Sequence, residues 1–379
     1  MPIPYDILRL IWWALLGILL IGFAVLDGYD LGSAMLLPFV GRNDDERRQV
    51  LATIEPNWEG HQVWFILGGG ASFAAWPLLY AASFSGFYVA MFLVLLSLIV
   101  RPVGFHFRDK IAAPRWRGFW DCGLALGGFV AALVFGVAFG NLLLGVPFGF
   151  DGELRLSYTG GFFELLSPFG LLAGVISVLM LVMHGGTWLA QKTDGAVALR
   201  AGAAARLAAL LTAVLFVLAG CWIFTGIDGY AISSAPAPTG PSNPLAKTVV
   251  REAGAWVANY WARPVLLAAP ALGIAGALLV ALIPTARARL LAFLASAAAV
   301  AGIIATAGIA QFPFLLPSAT NPNASLTVWD ASSSALTLWV MLLATIVMLP
   351  VVLIYTGIVL RVMRGPVRLG DVAGRDSHY

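Results

Sequence analysis

The sequence predicts an all-α polytopic membrane protein, and three observations carry that reading. Hydrophobic types make up 60% of the 379 residues, charged types make up only 11%, and the apolar residues gather in runs long enough to cross a bilayer. A soluble domain carries about 25% charged residues, so most of this surface does not face water. With 41 Gly and 21 Pro and no period of three, the chain is neither collagen-like nor of low complexity. A net charge of +3 resting on 22 Lys and Arg excludes a basic nucleic-acid binder, so no nucleic-acid partner is expected. Cys122 and Cys221 adjoin or lie in apolar runs without a CxxC or Cys/His grouping. No zinc site, c-type haem or cysteine-ligated iron–sulfur cluster is expected, and the metal assignment is none.

Nine runs reach the length of a membrane helix: Ile7–Phe39, Val50–Trp76, Leu79–Val100, Gly123–Val146, Gly161–Leu189, Leu207–Ile227, Val265–Ile283, Leu290–Phe312 and Leu336–Leu360. The first spans ~50 Å if helical, more than the ~30 Å hydrocarbon core, and is expected to tilt or to break at the glycines Gly28 and Gly32. It lacks the small-residue cleavage site of a secretory leader, so no cleavable signal peptide is expected. The second run is the weakest, because it holds Glu55, Glu59 and His61. The basic residues retain it: with nine spans, 17 of the 22 Lys and Arg fall on one set of loops, which an eight-span arrangement would split. That asymmetry predicts a cytoplasmic C-terminus and an external N-terminus. It makes residues 1–379 one integral membrane domain, with an external loop at 228–263 and a cytoplasmic tail at 361–379. The loop contains the Pro/Ser-rich stretch SSAPAPTGPSNP and reads as an irregular excursion.

A carboxylate in hydrocarbon is expensive and needs a reason. Asp27 and Asp30 are spaced i,i+3 inside the first run and share a helix face. Two readings stand: a wet helix end, or a buried polar site facing the protein interior. Glu55 and Glu59 are spaced i,i+4, and if a helix starts at Val50, Glu59 lies ~13 Å along its axis. A carboxylate there pairs with a cation or exchanges protons; against this, Pro56 and Gly60 would mark an interfacial turn in which both acids are wet. His106, Asp109 and Lys110 fall in a basic loop, with Asp121 at the start of the fourth helix; they read either as proton collectors or as a solvated loop on anionic headgroups. His184 reads as an interfacial histidine, and Asp330 as a helix cap. An undirected proton or ion pathway is as far as the residues reach alone.

The motifs go further. IWWALLGILLIGFAVLDGYDLG, GRNDDERR, WEGHQVWFILGGGASFAAWP, FSGFYVAM, RPVGFHFRDK, RWRGFWDCG, GVAFGNLLLGVPF, YTGGFFELLSPFGLLAGV, SNPLAKTVVREAGAW, TAGIAQFPFLLPS and NASLTVWDASSS follow one another along nearly the whole chain. In this order the chain resembles subunit II of the cytochrome bd-type quinol oxidases, cyanide-insensitive oxidases included. The resemblance implies nine helices arranged as two four-helix bundles plus a peripheral helix. It implies a heterodimer in the bacterial inner membrane with a haem-bearing subunit I, which holds two haems b and haem d and oxidises quinol in the aerobic respiratory chain. A small single-helix subunit and the lipid bilayer complete the partners, and the complex reduces dioxygen to water. It further implies that subunit II carries no catalytic residue of its own, lines a proton route from the cytoplasm, and in some members holds a structural ubiquinone, here near Trp58.

Residue by residue, the resemblance places the proton-route carboxylate of the family's W-D-G-N-Q motif on Glu59 within WEGHQ. The entrance positions fall on His106, where the family usually has Asp, and on Lys110, Asp121 and Tyr379. His61 replaces the usual Asn. Asp27, Asp30 and Arg101 match family positions as an intramembrane polar cluster. Two rival readings remain: a secondary transporter using intramembrane carboxylates, and an oxidase subunit that is purely structural.

Overall fold

A computed structural model describes residues 3–284 and 287–372. The first helix, α1 (Tyr5–Val40), is continuous over 36 residues. Gly28 and Gly32 do not break it as expected; they let another helix approach. A Cβ at Gly32 would lie 1.9 Å from the Leu181 carbonyl oxygen, and one at Gly185 would lie 2.4 Å from the Gly32 carbonyl carbon. Only paired glycines allow backbone to meet backbone at this crossing.

The expected second span divides. The short α2 (Asp44–Leu51) is capped by the Asn43 side chain, which accepts from the Glu46 N–H at 2.9 Å. Turns follow, and α3 (Trp58–Ala75) starts only after Pro56, whose ring removes an N–H and disfavours helical geometry at Glu55. The expected third span also divides at Phe87, into α4 (Pro77–Gly86) and α5 (Tyr88–Phe107); the Tyr158 ring packs where a Cβ at Gly86 would sit, 2.5 Å away. Helix α5 continues past its predicted end and takes in Arg101 and His106, so His106 stands in a last helical turn rather than in a loop. Helix α6 (Pro114–Leu144) begins earlier than predicted, at a proline whose missing N–H costs nothing in a first turn, and this places Asp121 inside a helix.

The second half of the chain contributes α7 (Pro168–Lys192), α8 (Gly195–Gly226), the short α9 (Ala258–Ala262), α10 (Ala268–Leu282), α11 (Arg289–Gln311) and α12 (Ala335–Val362). Among the described residues, eight helices are long and apolar enough to cross a membrane. Helix α3, at the expected second span, is not one of them, since Glu59, His61 and Gln62 lower its hydropathy; its 18 residues still run ~27 Å.

Helices α1, α3, α5 and α6 pack as one bundle, and α7, α8, α10 and α11 as a second. The two meet where α7 lies against α1 and α6, and α12 rides on the outside against α1 and α3. The buried cluster that joins the two bundles is rich in Ala, and Gly32, Gly128, Gly136 and Gly185 sit buried at helix crossings beside facing backbone, which is the small-residue packing expected when lipid removes the hydrophobic drive between helices.

Three two-stranded antiparallel ribbons lie between helices: β1 (Phe148–Phe150) with β2 (Leu156–Tyr158), β3 (Asp228–Ser234) with β4 (Thr248–Ala253), and β5 (Phe314–Leu316) with β6 (Leu326–Thr327). The segment 228–263 is therefore not irregular throughout. Only its Pro/Ser-rich tip lacks regular structure, and that tip is tied down by Arg9, which is fully buried. Arg9 donates to Ser332 Oγ at 2.7 Å, to Ser242 Oγ at 2.9 Å, and to the Pro238 and Gly240 carbonyls. Asp330 does not cap α12, a role taken by Ser334; it accepts from Thr327 and pairs with Lys247 at 2.9 Å. Neither is His184 interfacial, since it is wholly buried between the bundles.

Candidate functional site: a cavity and a buried charge cluster

Helix α1 aims Asp27 and Asp30 into the interior of the first bundle, on the face that the i,i+3 spacing predicts. Both are fully buried, which decides against the wet helix end. Helix α5 supplies Arg101, also fully buried, whose Nη1 and Nη2 reach the two Asp27 oxygens at 2.9 Å each. This planar two-bond match gives Arg101 and Asp27 a fixed orientation. Asp30 lies 3.7 Å from Arg101 Nη2. Its closer partner comes from α3: His61 Nδ1 is 2.7 Å from Asp30 Oδ2, and His61 Nε2 is 3.2 Å from the Tyr29 hydroxyl. Tyr29 in turn stacks on Trp188 at 4.0 Å. Within this cluster, Asp30 Oδ1 and Arg101 Nε have no hydrogen-bond partner. Asp27, Asp30 and Arg101, the three positions matched by the resemblance, are thus brought together. His61 and Tyr29 join them without any prior signal, because only the docking of α3 on α1 makes them neighbours.

Glu59 leaves the opposite face of α3. It sits in the first helical turn, not ~13 Å along a helix from Val50, because the turns around Pro56 delay the start of α3. Glu59 and His106 face a common cavity of ≈430 Å³, with Glu55, Trp58, Phe105 and Phe107 also on its wall. Two positions 47 residues apart in sequence thus open on one space large enough for several waters. Glu55 precedes α3, and desolvation together with the like charge of Asp109 raises its carboxyl above the ordinary carboxylate range.

Asp121 is not on that wall. It is buried and held between two guanidinium groups, accepting from Arg108 Nε at 2.6 Å and from Arg47 Nη1 at 2.9 Å. Asp44 extends this lattice to Arg108 and Arg117 at 2.8 and 2.7 Å, and Asp109 joins at 3.0 Å. The arrangement welds the loop after α5 to α2 and α6. Lys110 stands exposed on the three-residue 3-10 turn beside it. Tyr379 lies outside the described residues.

The two buried histidines, His184 and His61, are already engaged at both ring nitrogens and leave none for a haem iron. His184 donates Nε2–H to the Val25 carbonyl at 2.8 Å and presents Nδ1 to Ser296 Oγ at 2.8 Å, stacked on Phe293. His61 is engaged at both nitrogens, as described above. Among the described residues no cluster of three or more His, Cys, Asp or Glu is placed to hold a metal. A second cavity, of ≈550 Å³, lies between the bundles; Leu20, Phe23, Phe65, Phe135, Met180 and Ile303 are typical of its apolar wall, which carries no histidine.

The sequence profile of the family described as cytochrome bd terminal oxidase subunit II matches residues 8–363. Cytochrome bd-I ubiquinol oxidase subunit 2 of Escherichia coli is 55% identical over 376 residues, covering 99% of each chain. A probable cytochrome oxidase subunit 2 of Haemophilus influenzae is 50% identical over 354 residues, 93% of each chain. The fold is similar to that of bd oxidase from Geobacillus thermodenitrificans, with a TM-score of 0.67 over 94% of this chain and 98% of the other, at 16% identity.

Proposed function

The chain belongs to the cytochrome bd terminal oxidase subunit II family, and from that premise we propose that it carries the cytoplasmic proton route of the oxidase through Glu59 and His106. Family membership makes it a multi-pass inner-membrane subunit of a haem-bearing quinol oxidase of the respiratory chain, working with a subunit I. The relatives share the oxidase reading, not that of a transporter.

The haems, two of type b and one of type d, belong in subunit I, which agrees with a histidine set whose buried members are already engaged at both ring nitrogens. Bound there, they supply the reduction of dioxygen, which consumes protons. The substrate is a quinol, and the bd-I relative's name points to ubiquinol. A small single-helix subunit completes the assembly. A structural ubiquinone in this chain would find apolar surface for its isoprenoid tail in the ≈550 Å³ cavity, whereas Trp58 lines the other, more polar one.

The observation that carries the proton route is the shared cavity. Glu59 offers a carboxylate and His106 an imidazole to the same space, at the end of the bundle where the basic residues gather. That end is the cytoplasmic one by the distribution of Lys and Arg. Water in the cavity supplies the proton, Glu59 takes it up, and the same carboxylate releases it toward the partner. Glu55 lies on the same wall, and Lys110 follows on the turn after α5. Asp121 acts by holding Arg108 and Arg47, and so keeps this end of the bundle in shape. In the assembled oxidase, Glu59→Gln is expected to slow quinol-driven oxygen consumption by about tenfold or more with the haem spectrum intact, and Glu59→Asp to retain most of the rate. An unchanged rate and unchanged proton uptake in Glu59→Gln would leave the chain a purely structural subunit.

A further inference from the structure

The buried cluster has a charge problem that Arg101 alone does not solve. Asp27 and Asp30 bring two negative charges and Arg101 one positive charge, and all three side chains are fully buried. One negative charge is left over in a low-dielectric interior, where an uncompensated charge is disfavoured. The bidentate bond commits Arg101 to Asp27, so the surplus rests on Asp30. The group against Asp30 is His61, 3% exposed, with Nδ1 at 2.7 Å. Imidazole is the side chain that accepts a proton near neutral pH.

We propose that His61 and Asp30 form a buried proton-holding pair, a site that binds one exchangeable proton and so brings the Asp27–Arg101–Asp30–His61 cluster to zero net charge. The proton belongs to the pair rather than to either residue. In the empty state His61 donates Nδ1–H to Asp30 and accepts the Tyr29 hydroxyl at Nε2; in the loaded state both ring nitrogens donate, with Tyr29 turning to accept. The remaining ionisable groups around the pair leave this balance unaltered. On α7, His184 is 5.9 Å from the Tyr29 ring and is engaged by Val25 and Ser296. Lys192 lies behind the Trp188 ring and is bonded to the Met363 carbonyl. Glu59 leaves the opposite face of α3, and Tyr355 on α12 comes near Gly60.

The pair rests on the oxidase reading, but not on the route through Glu59, and the two fail separately. The test is the pH profile of quinol-driven oxygen consumption between about pH 5.5 and pH 9 in the assembled oxidase, with the haem spectrum as the check on assembly. His61→Asn and His61→Gln are expected to remove one titration from the profile, changing the ratio of rates at its two ends by about threefold or more. Asp30→Asn is expected to remove the same titration, and the double variant to add nothing further. Glu59→Gln is expected to lower the whole profile without changing its shape. A profile of unchanged shape in assembled His61→Asn overturns the pair. Should the His61 variants fail to assemble, Tyr29→Phe decides: it removes only the hydroxyl at Nε2 and is expected to shift the titration, and an unshifted midpoint overturns the proposal.

Discussion

Glu55 shows how much a single side chain can report. Desolvation and Asp109 raise its carboxyl above the ordinary carboxylate range, so ionisation is less favourable in the folded protein than in the unfolded chain. The sign follows. Below the ordinary carboxylate range the group is protonated in both states and has no effect; as pH rises through its folded value, stability is lost. Glu55→Gln is therefore expected to raise the thermal inactivation midpoint of the oxidase at about pH 8 and to leave it unchanged near about pH 4, read from residual activity after heating. Wild type and variant losing activity at the same temperature at the higher pH would contradict this. At this scale the sequence was partly legible. The i,i+3 spacing of Asp27 and Asp30 announced a shared face, and the one acid of WEGHQ, Glu59, announced itself by lying in an apolar run. The His61–Asp30 bond was not legible, because no periodicity connects α1 to α3 across 31 residues.

Among the elements, α1 and α7 carry the joint between bundles. Their crossing depends on Gly32 and Gly185, where any Cβ would enter the facing backbone. Gly32→Ala is expected to force the helices apart and cost about 1–3 kcal/mol or more, seen as a lower yield of assembled complex and a lower thermal midpoint. Gly17→Ala, on the same helix with nothing within 4 Å of its Cβ, is the control and is expected to be neutral or mildly stabilising. Equal effects of the two substitutions would sink the crossing argument. Length and composition left the first run to tilt or to break at Gly28 and Gly32; it stays continuous, and packing made Gly32 a contact. The same competition moved other boundaries. Pro56 delayed α3 and Pro114 advanced α6. These shifts moved Glu59 to a helix start and His106 into a helix, which is what lets them share a cavity.

For the whole molecule, the lattice of Arg47, Arg108, Arg117, Asp44, Asp109 and Asp121 marks one end, and the ribbon at 228–253 with buried Arg9 marks the other. The basic end is expected to face the cytoplasm. With Cys122 and Cys221 replaced by Ser, Thr239→Cys should react with a membrane-impermeant maleimide in intact spheroplasts, and Arg364→Cys only after permeabilisation. The reverse pattern would invert the orientation. The sequence by itself determined the class of fold, the approximate place of most apolar helices, the orientation expected from charge, and the family, while the expected second of nine spans is not among the eight helices apolar enough to cross. It could do so because a bilayer demands long apolar runs and because charge near them is rare enough to be informative. Only the tertiary structure decided which polar groups meet. It joined Glu59 to His106 at one cavity, locked Asp121 between two arginines, and set His61 against Asp30. Those pairings follow from how helices dock, and docking is settled by side-chain volume at crossings and by the need to neutralise buried charge, neither of which a one-dimensional pattern records.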